Sequence, residues 1–160
     1  RRVVKTQADK VMSLLRSPRT AVHLVTLLEE MPVQETIDAI EELHEAGLPV
    51  GQVFVNMVRP RDLAAADLNA VRRGEVDRAA IARDLASAGI ELDDPEVEEL
   101  IDSLVSEVTD HAERRSLEDA QREVIASLPV PHMEFPRLPG GIDRGSLLDL
   151  AGLVRRQGLA

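Results

Sequence analysis

The stretch TAVHLVTLLEEMPVQETIDAIEELHEAGLPVGQVFVN, residues 20–56, reads as strand, helix, strand. Residues 21–28 (AVHLVTLL) form an apolar run containing β-branched Val22, Val25 and Thr26. That length suits a strand buried on both faces, as in a parallel sheet. Met31-Pro32 follows, with Pro32 placed near a helix start. Val33, Ile37, Ile40 and Leu43 then recur at helical spacing as one apolar stripe. Glu35, Asp38, Glu41, Glu42 and Glu45 cover the other face. Gly47 closes the helix, and after Pro49 the run GQVFVN at 51–56 reads as a second buried strand. Two such strands joined by a helix form a right-handed βαβ unit.

Working outward, residues 3–16 read as a leading helix with Val4, Val11, Leu14 and Leu15 on one side. Ser17-Pro18 ends it. Residues 61–128 carry no strand signal and read as successive helices. Gly74 and Gly89 are their stops, and Asp77 is an N-cap. Asp94-Pro95-Glu96 combines a cap, a proline in the first turn and an acid at the positive dipole end. The helix it starts has a wide apolar face of Val97, Leu100, Ile101, Leu104, Val105 and Val108. Ser116 with Asp119 reads as the cap of a further helix through Val124 and Leu128. VPHMEF at 130–135 reads as a third short strand, with Pro131 tolerated only at its start. A turn-rich stretch, PRLPGGIDRG at 136–145, leads to a last helix from Ser146 to about Gln157, stopped by Gly158.

The expected fold class is therefore α/β: part of a parallel sheet with flanking helices, plus a helical subdomain. The expected division is 1–60, 61–128 and 129–160. Both outer pieces belong to the core, and 61–128 is the helical excursion.

Composition narrows the function. The chain has 160 residues, enough to bury a real core. Its 44% hydrophobic content argues against disorder. Only 1% is aromatic, Phe54 and Phe135, so the core must be aliphatic. The net charge of −10 and the missing stacking platforms argue against nucleic acid as a partner. The same charge disfavours anionic membrane surfaces. No cysteine is present, which removes disulfides, thiolate metal sites and thiol catalysis from this segment. His23, His44, His111 and His132 lack ligand spacing, so no metal site is expected. No apolar run approaches a membrane span. With no leader visible, the expectation is a soluble, cytoplasmic segment.

VTLLEEMPVQET, Val25 to Thr36, resembles a motif of the arsenite-pump/tail-anchored-protein-targeting (ArsA-type anion-transporting) P-loop ATPases. In that family a late strand runs into Val-Thr-x-Pro-Glu and then a helix with Glu-Thr. Glu29 stands at the motif glutamate, and Glu35 and Thr36 match the helix pair, but Leu28 replaces the motif proline. The run HLVTLLE-x-x-PVQET with its following Glu-rich helix is most similar to the actinobacterial branch. The likeness covers roughly 21–58 and 128–155.

The resemblance implies the C-terminal part of an ATPase that binds ATP with Mg2+ and hydrolyses it. The phosphate loop and the Mg2+ ligands lie outside this segment. The only lysines are Lys5 and Lys10, and neither follows a glycine. The resemblance also implies two adenine-side residues. Asn56, closing VFVN, matches the family's base-contacting asparagine; an amide offers the donor and acceptor that adenine presents. Pro136, in FPRLPGGIDRG, matches the loop that flanks the base. No residue here is implied as catalytic. The partners implied are a second ATPase subunit, in a homo- or heterodimer, and hydrophobic client helices. The family's zinc-binding Cys-x-x-Cys at the eukaryotic dimer is absent.

Against these stand plainer readings. Asn56 can be a strand-end asparagine capping a turn, and the Gly-Gly loop a generic surface turn. The 95–108 face can pack internally rather than hold a client helix, and the scarcity of Met there favours packing. As a whole, the chain can be a non-catalytic scaffold subunit of a hetero-oligomeric ATPase. Arsenite-stimulated pumping fits poorly, because arsenite needs thiols.

Overall fold

The structure is a computed structural model that describes residues 2–61, 63–90 and 93–158; side chains at 2–6 and 94 fall outside the description. The elements are α1 (Arg2–Leu15), β1 (Val22–Thr26), α2 (Glu30–Glu45), β2 (Val50–Val58), α3 (Ala65–Arg72), α4 (Arg78–Ser87), α5 (Asp94–Ala126), β3 (His132–Pro136) and α6 (Arg144–Arg156). The three strands form one parallel sheet in the order β1-β2-β3. Helices flank it. The chain divides into two compact units, 1–60 with 118–160 and 61–117.

In the first unit the core lies on one face of the sheet. Val53 and Val55 of β2 are 0% and 1% exposed and cluster with Val33 and Ile40 of α2, Leu28, Ile125 and Val130. Those α2 residues lie on the apolar stripe read from the sequence. Gly47 ends α2 at φ 68°, with Gly47 N–H on His44 O and Leu48 N–H on Leu43 O. That is a Schellman closure, which needs a left-handed residue after the cap. The same pair of bonds closes α3 at Gly74 and α4 at Gly89. Arg122, near the end of α5, donates to Glu134 of β3 at 2.6 Å and also pairs with Asp119. This ties the returning helix to the third strand.

Strand β1 differs from the expectation of burial on both faces. Leu24 and Thr26 face the core, whereas His23 is exposed and Val25 is 66% exposed. No helix among the described residues covers the β1 side of that second face. Along α1, Val11, Met12, Leu14 and Leu15 are likewise exposed, so its apolar side is not buried within this chain; Val4 lies outside the described side chains.

Strand β2 carries two irregularities. Against β1, Val22 pairs with Val50 but Leu24 with Val53, so β2 holds one extra residue near Gly51. Here the His23 ring crosses the backbone: Gln52 N–H donates to His23 Nδ1 at 3.1 Å, and the ring stacks on Phe54 at 5.3 Å. A Cβ at Gly51 would meet His23 Cε1 at 2.7 Å and Nδ1 at 2.9 Å. Glycine is therefore demanded by close approach.

In the second unit, α4 starts at Asp77, whose carboxylate accepts from Ala80 N–H at 2.9 Å. Helix α5 differs from the sequence reading in two ways. Its cap is Asp93, not Asp94. Asp93 accepts from Glu96 N–H while Glu96 accepts from Asp93 N–H, both at 3.0 Å. This is a reciprocal capping box, which needs its acid three residues after the cap, and Glu96 is three residues from Asp93. Moreover, Ser116 and Asp119 cap nothing, because α5 runs unbroken for 33 residues. No glycine or proline falls between Pro95 and Pro129, so nothing stops the helix. On the 95–108 face, Ile101 is fully buried, while Leu104 is 36% exposed. The core side chain of that face is thus Ile101 rather than Leu104.

Two pairs of substitutions check this packing. Gly51→Ala should destabilise the chain by about 1–3 kcal/mol by overpacking. His23→Ala in the same chain should recover part of that loss, a coupling that urea unfolding of the double-mutant cycle would measure. In the second unit, Ile101→Ala should cost about 2–5 kcal/mol as a core truncation. Leu104→Ala should cost clearly less. Equal unfolding midpoints for the two would reject the assignment of Ile101 as the packed residue.

Candidate functional site

All three parallel strands end on the same side of the sheet, and a cleft opens there. Open parallel sheets bind ligands at this edge, because the loops leaving the strands diverge around it. The cleft has a volume of about 250 Å³. One wall is the β1–α2 connection, Leu27 to Glu29. Another is the end of β2, with Asn56, Met57 and Arg59. Glu118 of α5 and Arg137, just after β3, complete the lining.

Asn56 is exposed, and its amide makes no hydrogen bond among the described residues. An asparagine that caps a turn spends its side chain on the backbone; Asn56 does not. Glu29 stands at the N-cap position of α2 with extended φ of −132°, yet its carboxylate makes no capping bond. Thr36 is otherwise: it is buried, and its hydroxyl donates to Pro32 O at 2.7 Å inside α2. Glu35 is exposed on that helix and does not line the cleft.

Pro136 is the last residue of β3 and pairs in register with Val58 of β2. It is exposed at the end of the strand adjacent to Asn56's strand but does not itself line the cleft; the next residue, Arg137, does. Arg137 N–H donates to Val58 O at 2.8 Å, so the ladder extends one step beyond Pro136. The loop then turns through Gly141, at φ 78°, and ends at Asp143. There a capping box starts α6, with Asp143 accepting from Ser146 N–H at 2.7 Å and the Ser146 hydroxyl accepting from Asp143 N–H at 2.8 Å. The helix therefore begins at Arg144, two residues before the expected start. The bond from Ser146 N–H holds the Asp143 carboxyl below its ordinary range.

Arg59, Glu118, Arg137 and Met57 escaped the sequence reading. Arg59 and Glu118 approach at 3.6 Å, and Glu118 is largely buried. They are 59 positions apart in sequence, so only the return of α5 brings them together. Charges in the lining balance: Glu29 and Glu118 against Arg59 and Arg137. Met57 is the only non-glycine residue with positive φ among those described, at 56°. Against β3, Val55 pairs with Glu134 and Val58 with Pro136, so β2 has one extra residue at Asn56–Met57. A methionine in the left-handed region costs about 1–2 kcal/mol relative to its usual backbone. Among the described residues no cluster of His, Cys, Asp or Glu is placed to hold a metal ion.

No family model matches the chain. It is similar to ATPase BagA of Mycobacterium tuberculosis, 40% identical over 156 residues, which is 98% of this chain and 45% of that protein. A Mycobacterium bovis protein named as an ATPase matches with the same identity and coverage. The chain thus spans about half the length of the curated relatives it matches.

Proposed function

We propose that this chain is the C-terminal part of an ATP-binding and ATP-hydrolysing P-loop ATPase of the anion-pump/tail-anchored-protein-targeting type. Its own part is recognition of the adenine base. The observation that carries the reading is 40% identity along 98% of the chain to proteins named as ATPases. The parallel sheet with helices around it is the architecture such an enzyme would use. No helix among the described residues is long and apolar enough to cross a membrane.

Asn56 would pair with the base, its carbonyl accepting from the N6 amine and its NH2 donating to a ring nitrogen. Pro136 would stand at the rim, with the loop to Asp143 as an adenine-side wall. The cleft suits an uncharged base better than a triphosphate, because its two arginines are matched by two carboxylates. Bound ATP supplies the reactive phosphoanhydride. The β/γ-phosphates and Mg2+ would be held by residues outside this chain, since no glycine-linked lysine occurs in it. In the intact protein the site would lie in a dimer of ATPase subunits, with 61–117 as part of a subdomain that moves on hydrolysis. Hydrophobic client helices are the partners this reading entails.

In the full-length protein, Asn56→Ala should weaken ATP binding by on the order of 1–3 kcal/mol, the worth of a lost amide pair. It should also narrow the gap between ATP and GTP affinity, since guanine presents the opposite pattern at position 6. Calorimetric titration with both nucleotides measures this; unchanged affinity and selectivity would make Asn56 structural. The isolated 160-residue chain should show no ATP turnover, having nothing to clamp the transferred phosphoryl group. Turnover by the purified chain above a contaminant control would refute the division of labour proposed here.

A further inference from the structure

We infer that Met57 is a positioning residue: its left-handed backbone opens the bulge in β2 that turns Asn56 into the cleft. Base selectivity then depends on the φ of residue 57 and not on its side chain. This rests on the reading of Asn56 as the base-recognising amide.

Three observations carry it. The bulge holds the residues that line the cleft at the end of β2, Asn56 and Met57, and the ladder resumes beyond it at Val58 with Pro136 and Arg137. It is therefore an inserted residue inside a continuing strand pair, not a frayed end. Bulges of this kind re-aim a side chain while leaving the sheet intact on either side. Second, the strained conformation falls on a methionine that is 53% exposed. Burial of that side chain does not account for the strain. Third, the residue before it, Asn56, has an amide with no hydrogen bond among the described residues, although it sits at the mouth of a cleft. Strain retained beside an unspent polar group marks a place where geometry is held for a ligand.

A plainer role competes. Alternation along β2 puts Val53 and Val55 in the core, and an unbulged strand would bring Met57 to that face next. With the extra residue, Val58 takes the place and packs against the core. The bulge could serve Val58 alone. The two roles separate in experiment, because one concerns stability and the other selectivity.

The test uses the full-length protein with Met57→Gly, Met57→Asn, Met57→Ala and Met57→Val, beside Asn56→Ala. Glycine and asparagine accept positive φ, alanine accepts it poorly, and a β-branched valine resists it most. ATP and GTP affinities and the urea unfolding midpoint are measured for each. Glycine and asparagine should keep the ATP-to-GTP affinity ratio within about twofold of the parent, and valine should lower it by about fivefold or more. Alanine should fall between, and it carries the comparison if valine does not fold. A lowered midpoint with an unchanged ratio in both the alanine and valine variants would leave only the Val58 packing role and overturn the inference. So would a loss of the ratio in the glycine variant equal to that in valine. If Asn56→Ala lowers the ratio and none of the Met57 variants does, the positioning role alone falls. If Asn56→Ala changes nothing, the base reading falls and the positioning role with it.

Discussion

The first unit depends on burial of the middle strand. Val53 and Val55 are fully enclosed, and each buried valine contributes about 1.5–3 kcal/mol. Residues far apart in the chain meet on them: Val33 and Ile40 from α2, Ile125 from the end of α5, and Val130 before β3. Neither neighbouring strand could stand alone, since each is five residues long and pairs with β2. The parallel arrangement sets the price: each return to the sheet needs a crossover. Helix α2 supplies the first and the 61–131 segment the second. The Arg122 bridge to Glu134 then fixes where the second crossover lands.

Strand β2, on which the sheet depends, is irregular at both ends. This strand of nine residues pairs with a five-residue neighbour on each side, and each pairing carries one register shift. At its start, the extra residue at Gly51 lets the His23 ring lie over the backbone and accept from Gln52 N–H. At its end, the extra residue at Asn56–Met57 lines the cleft, and Val58 beyond it returns to the core. Regular pairing in between keeps Val53 and Val55 inward. Core and cleft are thus served by one strand: Val53, Val55 and Val58 pack on the core, while Asn56 and Met57 line the cleft.

Much of this was legible in the chain, and the reasons are local. Gly47, Gly74 and Gly89 announced helix ends because a left-handed closing residue is a property of a few neighbouring atoms. The stripe through Val33 and Ile40 announced a buried helix face for the same reason. The length of α5 was misread because Ser116 and Asp119 resemble a cap. The absence of any glycine or proline from Glu96 to Leu128 was the better signal. The cap of α5 was misplaced by one residue because two acids precede Pro95 and only one stands three residues before Glu96. Gly51 inside a strand was a readable sign of a bulge or a close approach. The Arg59–Glu118 pair was not readable at all, since it depends on where α5 returns. Met57 was not readable either: methionine has no preference for positive φ, and only the register of three strands forces it there.

Charge bears on what the cleft can take. With a net charge of −10 the chain as a whole repels a polyanion such as ATP. Salt limits that repulsion to about 8 Å at physiological ionic strength, so the groups at the site decide affinity. Glu118 is largely buried, and Arg59 lies 3.6 Å from it, so this arginine is partly spent on its partner. Arg137 and Glu29 also line the cleft, so the formal charges of the lining cancel. A triphosphate would find no surplus positive charge there, whereas a neutral base would lose little by entering. On the proposed reading, recognition in this cleft would fall to hydrogen-bond pattern and shape, and the amide of Asn56, unbonded among the described residues, would be the group to supply it. If a nucleotide's base enters here, as proposed, its anionic end would have to be met by positive charge supplied elsewhere.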